Sequence, residues 1–153
     1  MTASTGTNDL DLGAFLPELS SVLGWIEALL WIVVLAGPLL ILLFGLMYKF
    51  CPPKEANYGV GYRFWWGMSS LEAWKFTQNL AGLVWICLGG ALTVIMLIVC
   101  FTFPGLELVD MAQRAGWCLV WQVGLLAAAC IAIDIVVICK FDKDGFRRDE
   151  PIE

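Results

Sequence analysis

The chain has 153 residues, of which 60% are hydrophobic and 15% charged, against roughly 45–50% and about 25% in a soluble globular domain. That excess points to one integral membrane domain and excludes an ordinary soluble enzyme. A net charge of −5 without a basic tail or patch excludes a nucleic-acid partner, and the absence of histidine removes the commonest metal ligand and the commonest general base near neutral pH.

Residues 1–23 read as a polar, acidic tail. Asp9, Asp11 and Glu18 precede the first apolar run and no basic start is present, so no signal peptide is expected and the first span is retained. A short interfacial turn is expected around the segment FLPELSSVLGW.

Residues 24–50 form the first transmembrane helix. Its centre, Ala28 to Tyr48, holds 21 residues without a charge, and a hydrocarbon core of about 30 Å takes roughly 20 helical residues. Trp25 and Trp31 mark one interface, Tyr48 and Phe50 the other. Gly37-Pro38 predicts a mid-span kink. Cys51-Pro52-Pro53 ends the helix, because proline donates no backbone hydrogen bond.

Residues 51–69 form a loop that carries two turn glycines, Gly59 and Gly61. The Gly-x-Gly is not a phosphate loop: no strand precedes it and no third glycine follows at the right spacing. Ser69-Ser70-Leu71-Glu72 fits a capping box, with Ser69 accepting from the Glu72 backbone and the Glu72 side chain reaching back. On the helix that follows, Glu72, Lys75 and Asn79 share one face, and Leu71, Trp74, Gln78 and Ala81 another.

Residues 70–103 combine an interfacial lead-in with the second transmembrane helix. From Phe76 to Leu106 no residue is charged, more than one crossing needs. The lead-in is expected to rest on lipid headgroups, with Trp65, Trp66 and Trp74 as anchors. Gly82, Gly89 and Gly90 bend the helix or admit a close neighbour.

Residues 104–115 form a loop, and 116–139 the third span, marked by Trp117 and Trp121. Gly124 and Ala128 predict close helix packing. Gln122 and Asp134 are the polar side chains inside this span. Asp134 lies six residues before Lys140, about 9 Å along the helix. A carboxyl there needs a partner, water or a proton; Arg63 is the obvious partner, a headgroup anchor its alternative role. We expect Arg63 and Trp74 to lock the 58–82 elbow onto the third helix. Residues 140–153 form a tail of mixed charge.

Three spans put the termini on opposite sides. Lys49, Lys54, Arg63, Lys75, Lys140, Lys143, Arg147 and Arg148 share one side and Arg114 alone has the other. The positive-inside rule then places the N-terminus outside and the C-terminus in the cytoplasm. The six cysteines form no CxxC pair, so neither a metal nor a redox cofactor is expected. Cys100 and Cys118 approach the same face, and free thiols are favoured there over a disulfide.

The fold class is therefore all-α, three transmembrane helices with a cytoplasmic-side interfacial helix leading into the second. The segment GYRFWWGMSSLEAWKFTQNLAG (61–82) resembles the signature of the SdpI/YfhL family of small bacterial membrane proteins. Gly61, Tyr62, Arg63, Ser69, Ser70, Glu72, Trp74, Thr77, Leu80, Ala81 and Gly82 fall on it without a gap, and the resemblance extends over 61–139. Phe64 stands where a threonine is usual, and Gln78 where a histidine or asparagine is usual. The resemblance implies a non-enzymatic protein of the bacterial cytoplasmic membrane. The family's founding member protects its cell against a secreted antimicrobial peptide and holds a transcriptional repressor at the membrane. The partners so implied are a peptide toxin and a cytoplasmic regulatory protein, beside the lipid bilayer and a second copy in a homo-oligomer. The alternative reading is a small oligomeric transporter or a subunit of a larger membrane complex.

Overall fold

The computed structural model describes residues 12–54 and 59–148. It contains three long helices, α1 (Leu12–Phe50), α2 (Leu71–Cys100) and α3 (Leu108–Lys140), and a single 3₁₀ turn, Trp66–Met68, ahead of α2. Three segments, Ser21–Phe50, Leu71–Cys100 and Leu108–Lys140, are long and apolar enough to cross a bilayer. At 1.5 Å per residue, 30 residues of α2 reach about 45 Å, more than a hydrocarbon core requires.

α1 stops at Phe50, just before Cys51-Pro52-Pro53. Upstream it runs back to Leu12, so residues 12–23, read as tail with an interfacial turn, are helical. The rest of that tail lies outside the described residues. The first turns of α2 are continuous with its span, as one helix from Leu71 to Cys100. Trp74, expected on headgroups, is wholly buried in the protein.

α1 and α2 pack backbone against backbone. A β-carbon at Gly89 would lie 2.5 Å from the Leu42 nitrogen, and one at Gly45 would lie 2.6 Å from the Ile86 nitrogen. Small residues thus create the contact that lipid gives no hydrophobic reason to form. Gly90 and Gly124 have nothing near such a β-carbon. The expected Gly124–Ala128 packing is therefore absent among the described residues, and both residues face outward. α3 instead holds on through Ile133 and Val137 at one end and Met111 with Ala115 at the other.

The core is divided between the two ends. Val34, Ile41, Leu92, Met96 and Phe103 build one cluster; Tyr48, Ala73, Ala81, Ile133, Val137 and Phe141 build the other. The α2–α3 connection is shorter than the 104–115 loop expected, because α3 already begins at Leu108. Asp110 in that first turn suits the positive end of the helix dipole. Phe101 and Phe103 stack edgewise on Trp31, at 5.7 and 6.5 Å between ring centres, and pin the connection to α1. All six cysteines are free thiols, Cys100 and Cys118 included.

Candidate functional site

The conspicuous polar structure lies where α2 begins. Ser70 is the N-cap: its backbone is extended and its Oγ accepts from the Ala73 nitrogen at 3.1 Å. The cap thus sits one residue later than the expected Ser69. Ser69 Oγ donates to the Trp66 carbonyl instead, closing the 3₁₀ turn. The Glu72 side chain does not reach back; it pairs with Arg147, beyond α3. Both partners of that pair are substantially solvent-exposed.

From Gly61 to Gln78 the signature residues interlock. Gln78 is fully buried. Its amide nitrogen donates to the Tyr62 carbonyl (2.8 Å) and its oxygen accepts from the Tyr62 nitrogen (2.9 Å). One side chain thereby satisfies both backbone groups of a loop residue that has no strand or helix partner. Gly61 has φ +122, and a β-carbon there would lie 2.7 Å from the Trp74 ring and 3.1 Å from Gln78 Oε1. Position 61 therefore needs glycine twice over, for its backbone and for the space. The Trp74 indole donates to the Pro53 carbonyl at 2.9 Å, tying the start of the loop to α2. Thr77 bonds back to the Ala73 carbonyl at 2.7 Å, and Gly67 rests directly on it.

Tyr62 carries the elbow across to α3. Its hydroxyl lies 2.8 Å from Asp134 Oδ1, to which it donates, and 3.1 Å from the Cys130 carbonyl. Its ring stands edge-on to Trp85, 5.8 Å between centres. Burial, reinforced by the bond to Asp134, pushes the Tyr62 phenol well above its ordinary range. It is therefore a donor at any physiological pH. This corrects the expected pairing of Arg63 with Asp134. Arg63 turns outward and donates to the Gly59 carbonyl at 3.0 Å. The lock onto α3 is thus made by Tyr62, while Trp74 ties the loop to its own start.

The chain after α3 completes the site. Phe141 bridges Arg147 in a hairpin. Asp142 Oδ1 accepts from the Asp144 and Phe146 nitrogens at 3.0 and 2.8 Å, the local bonding that favours aspartate in turns. Gly145 (φ +82) lies against Ser69 and Ser70, and Ser70 Oγ donates to its carbonyl at 2.8 Å. Lys140 sits over the Phe76 ring, 4.7 Å away. The start of the mixed-charge tail is thus a packed turn, for which the Asp144-Gly145 dipeptide is the sequence signal.

Gln122 lies apart from the elbow. Pro38 has no N–H for the Val34 carbonyl four residues earlier. Gln122, 4% exposed, supplies that bond from α3 at 3.0 Å. Gly37 makes room for it: a β-carbon there would meet Gln122 Oε1 at 2.5 Å. Among the described residues, no group of three Cys, Asp or Glu is placed to hold a metal ion.

Of the residues singled out from the sequence, Gly61, Tyr62, Trp74, Gln78 and Asp134 form one connected cluster, and Ser70 and Thr77 meet at the Ala73 backbone beside it. Glu72 joins Ser70 through the hairpin. Arg63 and Gln122 stand outside the cluster. The model of the SdpI/YfhL protein family matches residues 54–139, more than half of the chain. The chain belongs to that family. No curated protein and no solved structure matches it.

Proposed function

We propose, from membership of the SdpI/YfhL family, that this chain is a non-enzymatic immunity protein of the bacterial cytoplasmic membrane that protects the cell against a membrane-active peptide. The observation that carries this reading is the use made of the signature residues. Tyr62, Trp74, Thr77 and Gln78 are spent on one another, on loop carbonyls and on α3. Residues used this way hold a shape and leave no nucleophile or base free for chemistry. The SdpI family is not a known enzyme family. The distribution of lysine and arginine supports an N-terminus outside and a cytoplasmic elbow. In this orientation the first turns of α2 lie at headgroup level.

Expression in a strain sensitive to a candidate antimicrobial peptide tests the proposal. Survival should rise with the protein present; equal killing with and without it refutes immunity towards that peptide.

A cytoplasmic regulator is the second reading. The elbow and the terminal hairpin meet in one platform, through Ser70–Gly145 and Glu72–Arg147. Trp65 and Phe146 stand out from it at 78% and 71% exposure. Replacing both with serine should abolish co-purification of a recruited protein while leaving folding intact; undiminished recovery removes this platform as the docking surface.

A further inference from the structure

The first turns of α2 present one outward face, positions 72, 76 and 79, which continues through 83, 87 and 90 at spacings of three and four. Cations from both neighbouring helices lean over it. From α1, Lys49 Nζ donates to Asn79 Oδ1 at 2.6 Å. From α3, Lys140 Nζ sits 4.7 Å from the centre of the Phe76 ring. Lys75, exposed, stands four residues before Asn79 on α2 itself. The carboxylate of this face, Glu72, is taken by Arg147. Lys49, Lys75 and Lys140 therefore have no carboxylate partner among the described residues, although Lys49 and Lys140 are half-buried.

The unspent polar groups here are all donors. Lysine donates and never accepts, so the Asn79 amide turns its oxygen to Lys49. Its Nδ2 then points away and finds no acceptor among the described residues. An acceptor that also carries negative charge completes such a set, and a phosphate ester is both. A zwitterionic headgroup cancels that charge with its own ammonium. Beneath the cations the face turns apolar. Leu83 is 50% exposed, Cys87 is exposed, and a β-carbon at Gly90 would meet nothing within 4 Å. Asn79 to Gly90 covers about 16 Å along the helix, half of a hydrocarbon core of about 30 Å. Positive charge above one leaflet's depth of apolar surface matches the outline of an anionic phospholipid.

We infer that this face holds one anionic phospholipid, with its phosphodiester between Lys49, Asn79 and Lys140 and an acyl chain along Leu83, Cys87 and Gly90. The site goes beyond the immunity reading and rests on the three spans alone.

The test reconstitutes the full chain in phosphatidylcholine vesicles containing a minor fraction of phosphatidylglycerol. The probe is phosphatidylglycerol with a photoactivatable acyl chain, compared with phosphatidylcholine carrying the same chain. The phosphatidylglycerol probe should label 83–90 in preference to the other. Unlabelled phosphatidylglycerol should compete and inorganic phosphate should not, which separates a lipid from a free anion. Lys49→Gln and Lys140→Gln should each lower the preference about fivefold, the scale of one lysine at an anionic surface. Lys54→Gln combined with Lys143→Gln removes charge from exposed positions off this face and should leave the preference unchanged. Asn79→Asp keeps a partner for Lys49, so α1 and α2 stay joined, but sets a carboxylate where the phosphate goes. It should abolish the preference in a chain that still folds. Equal labelling by the two probes, or phosphatidylglycerol labelling spread alike over every lipid-facing surface, overturns the inference. So does a loss in the Lys54 and Lys143 double variant as large as in Lys49→Gln, or competition by inorganic phosphate as strong as by the lipid.

Discussion

Replacing Gln78 with leucine keeps the approximate volume and removes both bonds to Tyr62. The Tyr62 N–H and C=O, held at 2.9 and 2.8 Å, are then left unsatisfied. Each such group costs about 1–3 kcal/mol when buried. The Tyr62 side of the contact is only part-buried, so the lower half of that range applies, about 2–4 kcal/mol for the pair. Gln78→Asn keeps the amide but shortens the arm by one methylene, about 1.5 Å, and should lose nearly as much. Glu72→Gln is the control, because it breaks an exposed ion pair worth about 0.2–1 kcal/mol. Reversible unfolding in bicelles, titrated with dodecyl sulfate and followed by circular dichroism, gives the three losses. A Gln78→Leu chain no less stable than the Glu72→Gln chain would refute the bridge.

Arg63→Ala should change stability by less than about 0.5 kcal/mol, as an exposed residue with one loop carbonyl does; the same unfolding titration reads it. Gly89→Ala should destabilise by about 1–3 kcal/mol, because its β-carbon meets the Leu42 backbone. Gly124→Ala, with open space around it, should be neutral or slightly stabilising in the same assay, since alanine suits a helix better. The raised Tyr62 pKa favours the protonated, folded state. Its contribution is complete below the ordinary phenol midpoint near pH 10 and is lost as pH rises above it. Near-ultraviolet phenolate absorbance of wild type and Tyr62→Phe should therefore coincide up to about pH 11; a phenolate signal that Tyr62→Phe removes below that pH would show an ordinary, exposed tyrosine.

The three spans were legible because charge-free runs as long as Ala28–Tyr48 have one common explanation. The elbow was legible as a place and not as a mechanism. Spacing put Arg63 and Asp134 at the same membrane face, and opposite charge made them the natural pair. Spacing along a chain does not tell which neighbouring side chain turns inward. Gly61, at positive φ, orients the loop so that Tyr62 points to α3 and Arg63 to the outside. The same limit applies to Ser69 and Ser70, either of which satisfies the capping pattern. Gly124–Ala128 read as a packing face because small residues permit close approach, but permission does not choose the partner; α1 and α2 meet at Gly45 and Gly89 instead. The bond from Gln122 to Val34 was within reach: Pro38 always frees a carbonyl four residues back, and Gln122 was the polar side chain at comparable depth.

The claim on which the rest stands is that Tyr62, and not Arg63, fastens the signature elbow to the third helix. A double-mutant cycle between Tyr62→Phe and Asp134→Ala measures it directly. The expected coupling is about 1–3 kcal/mol, as for a hydrogen bond to a carboxyl, with a cycle between Arg63→Ala and Asp134→Ala near zero. Coupling that vanishes for Tyr62, or transfers to Arg63, would contradict it.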